Sequence, residues 1–167
     1  MSDELGSSVR KHGPDLYRIA WRILRHADDV DEVLQDVFLE ALQFSQRERV
    51  FSWIGLLKRL TVCRSLDRLR RRRTNVSMDG FELPSLDRSP LDHASDRELQ
   101  MRLRQALGQL PPRQAEVFCL RYLDDLSNQQ IAGTLCISAS AVATALRKAR
   151  VKLTELLPDE LSKGARP

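Results

Sequence analysis

The sequence predicts an all-α protein of two small helical domains joined by a flexible linker, the second domain carrying a helix-turn-helix. Three observations predict it. Apolar residues recur at spacings of three and four rather than two. The seven glycines and seven prolines fall mostly at the edges of periodic segments. Residues 74–95 interrupt the period with two prolines, a glycine and five serines or threonines.

The first helix is expected to open at Pro14, since proline suits a first-turn position, and to bury Leu16, Ile19, Ala20, Ile23 and Leu24. A second begins near Asp28 with the cleanest stripe in the chain: Val30, Val33, Leu34, Val37, Phe38, Ala41 and Leu42. A loop from Phe44 to Val50 leads to a third, from about Phe51 to Arg72, with Trp53, Leu56, Leu57, Leu60, Leu66 and Leu69 inward. Trp21, Trp53, Phe38, Phe51 and Phe118 lie on or beside these stripes and are expected in the core, whereas Phe44, in the loop, can stack on an unpaired base. The expected boundaries are 1–73 for the first domain, 74–95 for the linker, 96–158 for the second domain and 159–167 for a tail.

In the second domain the period resumes at Leu99, stops at Pro111-Pro112 and restarts through Ala115, Phe118, Cys119 and Tyr122. Ser127 with Gln130 reads as a capping box for a short helix containing Ile131, Ala132 and Leu135. Cys136-Ile137-Ser138 is then a turn, with Ser138 capping a longer helix whose buried side is Val142, Ala145, Leu146, Ala149, Leu153 and Leu156. A short helix, a tight turn and a helix with a small, polar and basic outer face form a helix-turn-helix, whose second helix can enter the major groove.

Composition bounds the function. At 167 residues the chain suits one ordinary domain or two small ones, and a large catalytic barrel is excluded. No window approaches the roughly 20 apolar residues of a membrane span, and MSDELGSSVRKHG lacks the apolar core of a signal peptide, so a cytoplasmic protein without membrane insertion is expected. Cys63, Cys119 and Cys136 form no CxxC pair and no histidine lies near them, which supports neither a disulfide framework nor a zinc site, and no cofactor is expected.

Net charge is +4, but the charge is concentrated in blocks. Residues 28–40 hold Asp28, Asp29, Asp31, Glu32, Asp36 and Glu40 with no cation. Like charges four apart weaken an isolated helix, so an acidic face beside an apolar stripe suggests a docking surface that a basic partner compensates. With no histidine or cysteine interleaved, these carboxylates do not suggest catalysis, and no enzyme is expected. Residues 58–73 carry Lys58, Arg59, Arg64, Arg68, Arg70, Arg71, Arg72 and Arg73 against Asp67 alone, the density that phosphate-backbone binding needs. Arg147, Lys148, Arg150 and Lys152 extend the candidate recognition helix. These features fit a helix-turn-helix regulator acting alone, an RNA-binding adaptor, or a DNA-binding protein that also docks on a larger assembly.

The motifs decide among these. ADDVDEVLQDVFLEAL resembles the acidic helix, usually DAEDLVQEVFLRAW, of bacterial extracytoplasmic-function (ECF) sigma factors. FSWIGLLKRLTVCRSLDRLRRRR is similar to the family's promoter-melting and −10-reading helix, and ALGQLPPRQAEVFCLRYLDDLSNQQIAGTLCISASAVATALRKARVKLTELL to its −35-reading domain. The resemblance covers about residues 12–157 and implies core RNA polymerase and promoter DNA as partners, with an anti-sigma factor as a further one. It aligns Asp31, Glu32, Gln35, Asp36 and Phe38 with the polymerase-binding surface. Phe44, Lys58, Arg59, Arg64, Arg68, Arg70, Arg71, Arg72 and Arg73 fall at the −10 element, and Ser138, Ser140, Ala143, Thr144, Arg147, Lys148 and Arg150 at the −35 element. The chain departs from the family at Cys63, commonly asparagine, at Cys136, commonly glycine, and at Ala141, Ala143 and Ala145 in the recognition helix.

Overall fold

Residues 2–79 and 94–157 are described by a computed structural model, and among them the regular elements are seven α-helices and no strand. Residues 80–93, the middle of the expected linker, and the expected tail at 159–167 lie outside the described residues.

Helix α1 spans Ser2–Leu24, so Pro14 lies inside it rather than at its start. Two features explain the longer helix. A proline clashes with the Cβ of a helical residue before it, and here that residue is Gly13, which has none. The extra turns also bury Leu5 and pack Val9 against the core. Arg25 then reverses the chain with φ at 52°. Helix α2, Ala27–Arg47, starts from His26, whose Nδ1 accepts from the Asp29 N–H at 3.4 Å. It buries Val30, Val33, Leu34, Val37 and Ala41, as the stripe predicts. Because α2 continues to Arg47, Phe44 sits in its last turn and not in a loop, and the connection to α3 shrinks to residues 48–52. Phe51 falls in that connection with no surface facing it. It is 93% exposed, contrary to the expectation of core packing, whereas Trp21, Phe38, Trp53 and Phe118 do pack against the core.

Helix α3 spans Trp53–Asp79, running past the expected end near Arg72. Leu57, Val62 and Leu66 are buried, and α1, α2 and α3 pack pairwise into a three-helix unit.

The second unit comprises α4 (Ala94–Gln109), α5 (Pro112–Tyr122), α6 (Asn128–Leu135) and α7 (Ala139–Leu156). Pro112 occupies the first turn of α5, where its missing N–H costs nothing. The capping box forms as read: Ser127 Oγ accepts from the Gln130 N–H at 3.2 Å, and Gln130 Oε1 accepts from the Ser127 N–H at 2.8 Å. Cys136 ends α6 at φ 55° and ψ 44°, the left-handed conformation that glycine adopts without strain. Ser138 Oγ then accepts from the Ala141 N–H at 3.1 Å, and α7 leaves α6 at 105°.

The two units touch. Helix α3 packs against α4, α5 and α6, and Arg22 of α1 donates to the carbonyl of Leu123 beyond α5.

Candidate nucleic-acid interface

The acidic and arginine-rich helices compensate each other within the chain. Asp29 is buried, and Arg68 donates to its Oδ1 from Nε at 3.1 Å and from Nη2 at 2.9 Å, while Arg72 Nε lies 2.7 Å from Oδ2. Arg68 also reaches Glu32 Oε2 at 2.6 Å. One helical repeat away, Arg64 grips Glu40 in a two-pronged pair at 2.6 and 2.8 Å and reaches Asp67 at 3.2 Å. Paired guanidiniums hold their protons more tightly, and both Arg64 and Arg68 are raised above the ordinary arginine value, chiefly by these hydrogen bonds to Glu40 and Asp29. The partner expected for part of the acidic face is therefore α3 itself.

What remains outward on α2 is narrower. Asp31, Gln35 and Asp36 are exposed, and neither Asp31 nor Asp36 has an ion-pair partner among the described residues. Phe38 is half-buried against the core. Leu39 is 59% exposed on this same polar face, a position the apolar stripe did not single out because it lies off the core side.

The basic residues of α3 divide in a similar way. Lys58 lies 2.7 Å from Asp124 of the second unit, and Arg70 pairs with Asp67 at 3.3 Å. Arg59, Arg71 and Arg73 are exposed. Phe44 is 39% exposed and Phe51 93%, and Arg47 and Arg49, between them in sequence, are exposed as well; neither Phe51 nor these arginines was marked as a site by periodicity. Cys63 donates through Sγ to Glu116 Oε1 at 3.0 Å. Burial first, then this carboxylate, push the thiol up to about 12, so it stays protonated and is a weak nucleophile.

On α7 the expected reading face is outward. Ser140, Ala143, Thr144, Arg147 and Lys148 are exposed, while Val142, Ala145, Leu146, Ala149 and Leu153 are buried. Ser138 is committed to its cap. Arg150 differs from the rest: Nε donates to Tyr122 Oη at 2.8 Å and its guanidinium lies 5.6 Å from that ring's centroid, so α5 holds it in place.

The Sigma-70 region 2 family model matches residues 8–74 and the Sigma-70, region 4 model residues 100–153. The RNA polymerase sigma factor NccH of Alcaligenes xylosoxydans xylosoxydans is 31% identical over 163 residues, covering 91% of this chain and 86% of NccH. The chain belongs to the ECF RNA polymerase sigma factors. The ECF sigma factor SigE of Mycolicibacterium smegmatis is 28% identical over 98% of this chain, which spans 64% of SigE. Among solved structures, that of CnrH in complex with the cytosolic domain of CnrY matches with a TM-score of 0.57 and 25% identity, over 96% of this chain and 91% of that one.

For a sigma factor the placement is informative. The two family models fall on α1–α3 and on α4–α7, so the acidic and arginine helices share region 2 and the helix-turn-helix sits in region 4. No single helix among the described residues is long and apolar enough to cross a membrane.

Proposed function

We propose that this sigma factor docks on core RNA polymerase through the outward face of α2, with Asp31, Asp36 and Gln35 as polar contacts and Leu39 and Phe38 supplying apolar area. The observation that carries this reading is the division of the acids. Asp29, Glu32 and Glu40 are neutralised by α3, and Asp31 and Asp36, lacking such partners among the described residues, are left to a basic surface elsewhere. In this reading Arg59, Arg71 and Arg73 hold phosphates of the melted −10 element, Phe44 and Phe51 face its bases, and α7 reads the −35 duplex with Ser140, Thr144 and Arg147. The protein positions a polymerase in the cytoplasm and catalyses nothing itself. CnrH was solved in complex with the cytosolic domain of CnrY, and a protein partner of anti-sigma type is part of this proposal for the present chain.

The test is co-elution with core RNA polymerase. The wild-type chain binds, and the double variant Asp31→Lys, Asp36→Lys fails to bind while keeping its helical circular dichroism. Glu32 is left intact because it pairs with Arg68, and its reversal would disturb the fold as well. Full retention of core binding by the double variant contradicts the docking assignment.

A further inference from the structure

The contact between the two units uses Lys58, a residue that the resemblance to the family aligns with the −10 element. Lys58 Nζ meets Asp124 Oδ2 at 2.7 Å, and the two side chains are only 18% and 14% exposed. Asp124 lies in the turn between α5 and α6, which also supplies the Leu123 carbonyl that accepts from Arg22. One turn along α3 from the Lys58–Arg59 pair, Cys63 donates to Glu116 of α5. A carboxylate and a backbone phosphate offer an ammonium group the same thing, an oxygen anion within hydrogen-bond reach.

We infer that in the free chain the α5–α6 corner of region 4 stands in for nucleic acid on α3, with Asp124 occupying the position of a phosphate against Lys58 and Glu116 closing the contact at Cys63. The free protein is thereby held in a self-masked form that weakens binding of melted −10 DNA. The mask is partial: Ser140, Thr144 and Arg147 of α7 remain exposed in it, so −35 duplex binding is not covered. This inference rests on the assignment of Lys58 to −10 DNA.

The physical cost of opening explains how the mask holds and how it yields. Removing one partner of a mostly buried ion pair leaves the other charge desolvated and uncompensated, which favours separation of the two surfaces. In the wild-type chain, incoming phosphates replace Asp124 one for one, so Lys58 exchanges partners rather than losing one. If the masked form outweighs the open one by about ten to one, abolishing it raises apparent affinity about tenfold.

The test uses the full chain with Asp124→Asn, which leaves every proposed DNA contact in place. Alkylation of each cysteine by iodoacetamide is mapped by mass spectrometry, and affinity is measured for a fluorescent single-stranded oligonucleotide and for a −35 duplex. The inference predicts that Cys63 reacts about tenfold faster than in wild type and that the oligonucleotide binds about tenfold tighter. Cys136, already exposed, keeps its wild-type rate of alkylation, and duplex affinity is unchanged. The paired exchange Lys58→Asp with Asp124→Lys restores slow alkylation of Cys63.

Unchanged Cys63 reactivity in Asp124→Asn overturns the inference, because the ion pair then does not hold the units together. Faster alkylation without tighter oligonucleotide binding overturns it too. Adding Lys58→Ala to Asp124→Asn then locates the fault. A loss of affinity keeps Lys58 as a DNA contact and rejects the mask alone, whereas no loss rejects the −10 assignment of Lys58.

Discussion

Arg68 grips Asp29 with two N–H groups, at 3.1 and 2.9 Å, and this pair joins the helix expected to face polymerase to the helix expected to face DNA. Asp29 is buried while Arg68 and Arg72 remain a third or more exposed, so the carboxylate bears most of the desolvation. Five of the six acids of α2 thus form two sets with different work, Asp28 standing exposed in the first turn apart from both. One set fixes the angle between α2 and α3, and the other is presented outward.

Asp29→Ala is expected to destabilise the fold by about 2 to 3 kcal/mol. It strands the Arg72 guanidinium and leaves Arg68 with Glu32 alone, and the partial exposure of both arginines keeps the loss at or below the low end for broken buried pairs. Asp31→Ala and Asp36→Ala are each expected to stay within about 0.5 kcal/mol of wild type. Urea unfolding followed by circular dichroism compares the three, and an Asp29 variant as stable as the others contradicts the division.

Arg71→Ala with Arg73→Ala is expected to flatten the dependence of log K on log salt for holoenzyme binding to promoter DNA by about 1.4 to 1.8, since each lost phosphate contact contributes about 0.7 to 0.9. The loss is similar on every promoter sequence. Arg68→Ala with Arg72→Ala instead lowers the melting temperature, because those side chains hold Asp29. Fluorescence anisotropy across a salt series and thermal unfolding separate the two pairs of variants.

Cys136→Gly is expected to stabilise the chain by about 0.5 to 1 kcal/mol. A left-handed residue with a Cβ costs about 1 to 2 kcal/mol, and the added freedom of glycine in the unfolded chain returns part of the gain. The side chain is exposed, so no packing is lost. An unchanged or lower melting temperature contradicts strain at this turn.

Arg147→Ala is expected to cost about 1 to 3 kcal/mol on the preferred −35 site and to relax discrimination at one or two base pairs, while Lys148→Ala weakens all sites alike. Binding of both variants to a systematic −35 library checks this. Uniform loss from Arg147→Ala reassigns the reading residues of α7.

The helices whose signals are local were legible in the sequence. The stripe from Val30 to Ala41, the Ser127–Gln130 box and the Ser138 cap all depend on neighbours within a few residues, and each formed where the spacing put it. The extension of α1 through Pro14 was not legible by rule, because it depends on Gly13 removing a clash and on Leu5 finding a distant core. Phe51 looked like core by proximity to a stripe, but α3 starts only at Trp53 and leaves it in the connecting segment, in water. The pairing of Arg64 with Glu40 and of Arg68 with Asp29 joins residues 24 and 39 apart, and sequence shows the two charge blocks without showing that they face each other. The same holds for Lys58 and Asp124, whose contact depends on how the second unit sits against α3.

As a sigma factor, this chain is expected to turn core RNA polymerase into a promoter-directed enzyme. The most direct measurement is transcription by purified core polymerase on a library of promoter fragments, with and without the chain. Discrete transcripts are expected that require the chain, share a −35 and a −10 sequence, and disappear with Asp31→Lys, Asp36→Lys. Transcripts indifferent to the chain, or promoter-directed transcripts that persist undiminished in that double variant, contradict it.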